Sequence, residues 1–196
     1  MKIRAYKASD EQQWLKCRLL SFYDCSYCDD VIHEKPVYDN QVIDLVAVED
    51  EQIVGFIEVE IEKKCKDACY LDGELGGNIW NIGVLPEYRR DRVATQLLDE
   101  AVRIAKGFGI ARFEAWTQDD VAANRWYERS GFLFIESYLT VYASWRECEE
   151  NKLITEHIGE IYGVRELNFE APISRKDEVL KKYSKVHEVK LYELKF

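Results

Sequence analysis

Between Asn78 and Ala143 the sequence changes period four times without a linker: apolar strand, long amphipathic helix, strand, short helix, strand. A strand–helix–strand unit closes by a right-handed crossover, so the middle of the sheet must be parallel, with helices packed against it. The long helix is the clearest element. Val93, Leu97, Leu98, Ala101, Ile104, Ala105 and Phe108 form one apolar stripe at helical spacing, and Gly107 and Gly109 stop it. A strand over Ala111 to Thr117 follows, then a helix from about Asp119 to Ser130 closed by Gly131, then a long strand from Phe132 to Ala143.

Upstream, Lys2 to Lys7 alternates as a strand, and Ser9 with Gln12 reads as a capping box for a helix carrying Trp14, Leu15, Leu19 and Phe22. Ile43 to Val48 and Ile53 to Ile61 flank "EDEQ" as a hairpin. In its second arm Ile57, Val59 and Ile61 face one way, while Glu58, Glu60 and Glu62 face the other and are expected at solvent. Downstream, "VRELNFEAPI" and "HEVKLYELKF" read as strands around a short helix capped by Ser174. The reading is α/β: a core over 1–144 and a structured α/β extension over 145–196, packed on the same domain.

The 196 residues are long enough to bury a sizeable core, and no run approaches the ~20 apolar residues of a membrane span. The N-terminus has no apolar stretch of the secretory kind, so a cytoplasmic location is expected. A net charge of −10 argues against nucleic acid and suits a small cationic partner. Among six cysteines, Cys25–Cys28 and Cys65–Cys69 have spacings that could hold zinc. Neither pair is framed by turn glycines, and no metal site is expected. In a reduced compartment they read as small half-buried hydrophobes.

Against this acidic background, Arg89, Arg90 and Arg92 gather where the long helix begins. Free N–H groups and the positive dipole end already make a helix start an anion site. Basic residues there oppose the dipole unless an anion compensates, so a phosphate site is expected. The glycines of a P-loop or a dinucleotide fingerprint are missing.

The stretch "VLPEYRRDRVA" resembles the GNAT superfamily of N-acetyltransferases, in which a strand ending V-x-P-x-Y-R leads into [RQ]-x-x-G-x-[GA] and a long helix. Val84, Pro86, Tyr88 and Arg89 match. The family's second motif resembles "DDVAANRWYERSGF", with Ala123, Tyr127, Gly131 and Phe132 in register. The resemblance spans about Lys2 to Ala143 and implies a mixed sheet with helices on both faces, and acetyl-CoA as cosubstrate. It assigns cofactor contacts to Ile82, Gly83 and Val84, to Arg89, Arg90, Asp91, Arg92, Val93 and Ala94, and to Asp120 and Asn124. Two positions depart from it. Arg92 stands where the family has glycine; a negative φ in the first helical turn would accommodate it, either gripping a CoA phosphate or crowding the turn. Asp120 stands where an asparagine commonly touches the pantetheine arm, and a carboxylate accepts hydrogen bonds but cannot donate them.

The implied reaction moves an acetyl group to a primary amine by direct attack in a ternary complex. It needs a base, oxyanion donors and an acid for the thiolate. By resemblance Tyr127 is the acid. Asn78 and Asn81 cannot take a proton, which leaves Glu58, Glu60 and Glu74, or water, as the base. Phe22, Tyr23, Asp24, Tyr27, Asp29, Asp30 and Glu34 after the first helix suit an ammonium acceptor. A homodimer is left open, and the alternative function is a GNAT-fold module that binds acyl-CoA without turnover.

Overall fold

The computed structural model describes residues 1–144, 147 and 166–196. In chain order its elements are β1 (Lys2–Ala5), α1 (Glu11–Phe22), β2 (Gln41–Glu49), β3 (Gln52–Ile61), β4 (Gly76–Val84), α2 (Val93–Gly107), β5 (Arg112–Thr117), α3 (Val121–Arg129), β6 (Leu133–Ser144), β7 (Glu166–Pro172), α4 (Lys176–Lys182) and β8 (Val186–Lys195). The strands form one sheet in the order β1-β2-β3-β4-β5-β8-β6-β7. Among the described strands, only β4 and β5 pair in parallel; the other neighbours are antiparallel. Cys148 and the start of the "VRELNFEAPI" strand lie outside the described residues.

Two neighbouring strand positions reveal which helix covers which face. A Cβ on Gly55 would meet Val93 and Leu97 of α2, whereas one on Gly83, paired with the adjacent Phe56, would meet Phe56 and Ser21 of α1. Adjacent residues in a strand point to opposite faces, so α1 and α2 lie on opposite sides of the sheet. Helix α3 shares the α2 side, because Tyr127 stacks on Tyr192, which pairs with Ala115 of β5. Val93, Leu97, Leu98, Ala101 and Ala105 of the α2 stripe are buried as their spacing predicts, Ile104 is half-buried, and Phe108, just past the helix end, is exposed.

The first helix starts differently from the expected capping box. A 3-10 turn over Ala8–Asp10 precedes α1, and it is Asp10 that organises it, accepting the Lys7 N–H at 2.9 Å and two hydrogen bonds from Arg4 at 2.6 and 2.9 Å. A carboxylate clamped by a guanidinium outcompetes a serine hydroxyl for this role, and Arg4 holds Asp10 below the usual carboxylate range. Likewise α4 begins after a 3-10 turn with Arg175 rather than Ser174 at its cap, and no side chain caps it.

The alternation in β3 is real, but its acidic face is not at solvent. Glu58, Glu60 and Glu62 are 0%, 5% and 3% exposed. The loops after α1 and after β3 fold over them, and the carboxylates accept the loops' own N–H groups. Glu60 takes the Asn40 N–H at 3.0 Å, and Glu62 takes those of Lys66, Cys69 and Gly76 at 2.5, 3.3 and 2.8 Å. Glu114 on β5 takes those of Tyr70 and Leu71 at 2.8 and 3.1 Å. Charge is balanced by buried Arg112, bonded to Glu114, and by Lys35, which bridges Glu58 and Asp44. Buried carboxylates persist only when hydrogen-bonded, paired, or both: Glu58, Glu62 and Glu114 have cationic partners, and Glu60 is held by the Asn40 N–H and the Trp80 indole N–H.

The C-terminal segment does more than lie against the core. Strand β8 enters the sheet between β5 and β6, with Arg112 opposite Lys195 and Val141 opposite Val186. Strand β7 pairs along the outer edge of β6, and α4 closes a small second cluster of Leu139, Val141, Ala143, Ala171 and Val179.

Candidate active site

Strands β4 and β5 pair only from Gly76–Arg112 to Ile79–Ala115 and then separate. The separation starts at a bulge: Glu58 pairs with Asn81 and Val59 with Ile79, so Trp80 is the extra residue. An inserted residue bends its strand away from its neighbour. Beyond it, Trp80 to Val84 pair with no described strand on the β5 side. The gap is a cleft of roughly 630 Å3 that runs through the sheet from the α1 face to the α2 and α3 face.

Ile82, Gly83 and Val84 line this cleft, as do Ala94, Asp120 and Tyr127. A methyl group on Gly83 would sit 2.6 Å from Phe56, so glycine there lets the bent strand pass over the core. Tyr127 is 5% exposed, parallel to Tyr192 at 5.5 Å and edge-on to Phe132 at 5.0 Å. Burial, with smaller effects from Tyr27 and Tyr192, pushes its phenol well above the ordinary value, so it holds its proton.

The basic cluster divides. Arg89 makes a two-pronged pair with Asp24, at 2.6 and 2.7 Å, and donates to the Ser21 carbonyl at 2.9 Å, tying the loop before α2 to the end of α1. Arg90, Asp91 and Arg92 are exposed at the start of α2, and Val93 turns into the core. Arg92 does not have the negative φ expected of it. It is the N-cap of α2 with φ 61°, and Arg90 has φ 75°. This is the left-handed region, which explains why glycine suits the position: the loop must curl before the helix axis begins. An arginine there is strained by about 1 kcal/mol. Most of that strain is offset by the entropy glycine adds to the unfolded chain, so replacing Arg92 with glycine is expected to raise the melting temperature by about 1 °C. A drop in melting temperature would overturn this reading of the turn.

Two assigned residues have internal duties. Asp120 is the N-cap of α3, accepting the Ala123 N–H at 2.7 Å. Asn124 is buried, donating to the carbonyls of Gln118 and Asp120 and accepting from Tyr192 at 2.8 Å, and its amide does not line the cleft. The carboxylates after α1 are engaged too. Asp24 is on Arg89, Asp29 on Lys185 at 2.7 Å, and Asp30 on Arg18 at 2.5 Å. The segment is thereby strapped across the cleft mouth, and the Tyr27 hydroxyl accepts the Gln118 N–H at 2.8 Å.

Glu58 and Glu60 stand behind β4 rather than in the cleft. Glu58 accepts from Asn81 at 2.8 Å and from the Tyr38 hydroxyl at 3.1 Å; burial pushes that phenol up to about 12. Glu60 accepts the Trp80 indole N–H at 2.7 Å. The large side chains of the cleft that escaped the sequence reading include Arg18, Trp80, Trp116 and Trp126. Trp80 stacks on Tyr38 at 5.8 Å, and Trp116 stands edge-on to Tyr70 and Tyr138 at 5.5 and 5.3 Å. The bulge puts Trp80 into the cleft, and a bulge leaves no periodic mark in the sequence.

A family model for the acetyltransferase (GNAT) family matches residues 5–132. The chain belongs to the GNAT acetyltransferase family. No curated protein matches it by sequence. Among solved structures, the ribosomal-protein-S18-alanine N-acetyltransferase from Escherichia coli aligns over 99% of this chain and 92% of its own, at 12% identity and a TM-score of 0.58. An aminoglycoside antibiotic 6'-N-acetyltransferase from Acinetobacter haemolyticus aligns over 69% and 93%, at 24% identity and 0.53. The PaiA N-acetyltransferase from Thermoplasma acidophilum, solved with coenzyme A, aligns over 68% and 90%, at 17% identity and 0.53. These structures share the acetyltransferase's fold, and two of them are named for different acceptors, a ribosomal-protein alanine and an aminoglycoside. No helix among the acetyltransferase's described residues is long and apolar enough to cross a membrane, and those residues hold no cluster of metal-ligating side chains.

The acetyltransferase's cleft fits a CoA thioester. Its β4 edge offers unpaired amides, α2 opens with free N–H groups beside Arg90 and Arg92, and the Trp126 indole N–H in the cleft wall is buried with no acceptor among the described residues.

Proposed function

We propose that the protein transfers an acetyl group from acetyl-CoA to the primary amine of a small cationic acceptor, by direct attack in a ternary complex. The parting of β4 from β5, with Tyr127 and the Trp80 and Trp116 indoles lining the gap, carries this reading. Acetyl-CoA supplies an activated thioester. The β4 amides between Trp80 and Val84 orient it and polarise its carbonyl, and the start of α2 holds its phosphates. Tyr127 gives its proton to the departing thiolate. Glu58 and Glu60 act from behind the strand, fixing Asn81 and the Trp80 indole. The amine's proton leaves through water. An α-amine near ~8 then needs less help than a lysine-type amine near ~10.4.

With Asp24, Asp29 and Asp30 already paired, aromatic faces contribute most to recognising the ammonium, and the net charge of −10 draws cations from a distance. Two measurements test the proposal. Acetyl-CoA should raise the melting temperature, less so as salt increases, and a transfer screen should find turnover among polyamines, aminoglycosides and peptide amines. No thermal shift at millimolar acetyl-CoA would sink the cosubstrate assignment. A thermal shift with no acetylated amine would make the protein an acyl-CoA-binding module instead.

A further inference from the structure

The strap over the cleft carries the motif that the mechanism leaves unused. Cys25 and Cys28 occupy a turn in which the Cys28 N–H donates to the Cys25 carbonyl at 3.2 Å. Residues joined by such a bond have Cα atoms within ~7 Å, the separation a disulfide needs. Both are free thiols, Cys28 at the exposed surface and Cys25 in the cleft wall, its Sγ donating to the Phe22 carbonyl at 3.2 Å. The turn lies between anchors on either side. Asp24 precedes it, paired to Arg89 of the loop before α2, and Asp29 and Asp30 follow it, paired to Lys185 and Arg18. Tyr27, inside the turn, reaches the end of β5 through Gln118. Of the other described cysteines, Cys17 and Cys69 are buried, with burial pushing the Cys17 thiol up to about 12, and Cys65 is exposed, its Sγ donating to Asp72 at 3.9 Å.

We propose that Cys25 and Cys28 are a thiol–disulfide switch, oxidised by a low-molecular-weight disulfide and setting the shape of the cleft mouth. The exposed Cys28 thiolate attacks one sulfur of the oxidant and expels one thiolate. The Cys25 thiolate then attacks the Cys28 sulfur of the mixed disulfide and expels the second. Two protein thiols are oxidised by two electrons, and one disulfide is reduced to two thiols. The new bond draws the Cys25 sulfur off the cleft wall and turns the Tyr27 ring between them.

The test treats the full chain with oxidised glutathione and then with dithiothreitol. The peptide containing Cys25 and Cys28 should become lighter by two hydrogens and recover on reduction. The kcat/KM for acetyl transfer should fall about tenfold on oxidation in the parent chain, an effect Cys28→Ser abolishes while keeping the activity of the reduced protein. A glutathione adduct that persists on Cys28, no mass change, or a bridged peptide with unaltered kinetics would each overturn the switch. The kinetic arm rests on the acetyl transfer proposed above. The mass measurement does not, so a failure of that reading and a failure of the switch are told apart.

Discussion

Tyr127→Phe should lower kcat on the order of a hundredfold while the Kd for acetyl-CoA and the melting temperature barely move. The ring keeps its parallel contact with Tyr192 and its edge contact with Phe132, so only the hydroxyl is removed. That hydroxyl keeps its proton because the ring is buried, and it belongs to the cleft wall. A thiol with a pKa of ~8.5 already leaves fairly well, which puts the loss at the lower end of the usual 10²–10⁴ range for such groups. The informative measurement is kcat with a good acceptor, beside calorimetry with acetyl-CoA. Unchanged kcat would reduce Tyr127 to a core aromatic and leave water as the acid. A loss of stability instead would mean the hydroxyl was structural.

Arg112→Leu should be the most damaging single change to stability outside the apolar core. The guanidinium is 3% exposed. It pairs with Glu114, lies 3.6 Å from Glu62 and 3.8 Å from Glu193, and donates to the carbonyls of Glu74 and Leu71 at 2.8 and 2.9 Å. Removing one partner of a buried pair leaves the other uncompensated, at a cost of about 3–5 kcal/mol. For a chain of this size that lowers the melting temperature on the order of ten degrees. The damage should also spread to the site. The loop pinned by Arg112 carries Tyr70, which braces Trp116 in the cleft, so an acceptor's KM should rise in the surviving folded protein. Arg112→Lys should recover only part of the loss, because one ammonium cannot reach carboxylates and carbonyls in three directions. Melting curves of the two variants decide the matter; a leucine variant as stable as the parent would refute it.

What could be read ahead of the structure was whatever leaves a local period. The α2 stripe, the hairpin around Asp50 and Glu51, and the opposed faces of Ile57 and Glu58 all rest on spacings of two to four residues. The pairings that shape the site are not local. Arg89 finds Asp24 from 65 positions away, and Glu114 takes its N–H donors from Tyr70 and Leu71, 44 and 43 positions away. A glutamate in a strand looks the same on paper whether it meets water or a loop's backbone, so Glu58 and Glu60 were expected outside and lie inside. The backbone of Arg92 is hidden from the sequence for a related reason. Its φ is dictated by how the preceding loop must curl, and only the three-dimensional path from β4 to α2 reveals that demand.

The seat of β8 has a consequence for how the chain is made. On the ribosome, β5 emerges long before its partner, since Thr117 pairs with Lys190 and Arg112 with Lys195. At roughly 5–20 residues per second, the nascent chain holds an open strand edge for several seconds. An open edge is a template for the wrong neighbour, including another nascent copy. The sheet cannot close vectorially from its N-terminus; it closes when the last described strand slides between β5 and β6, as a drawer closes a cabinet.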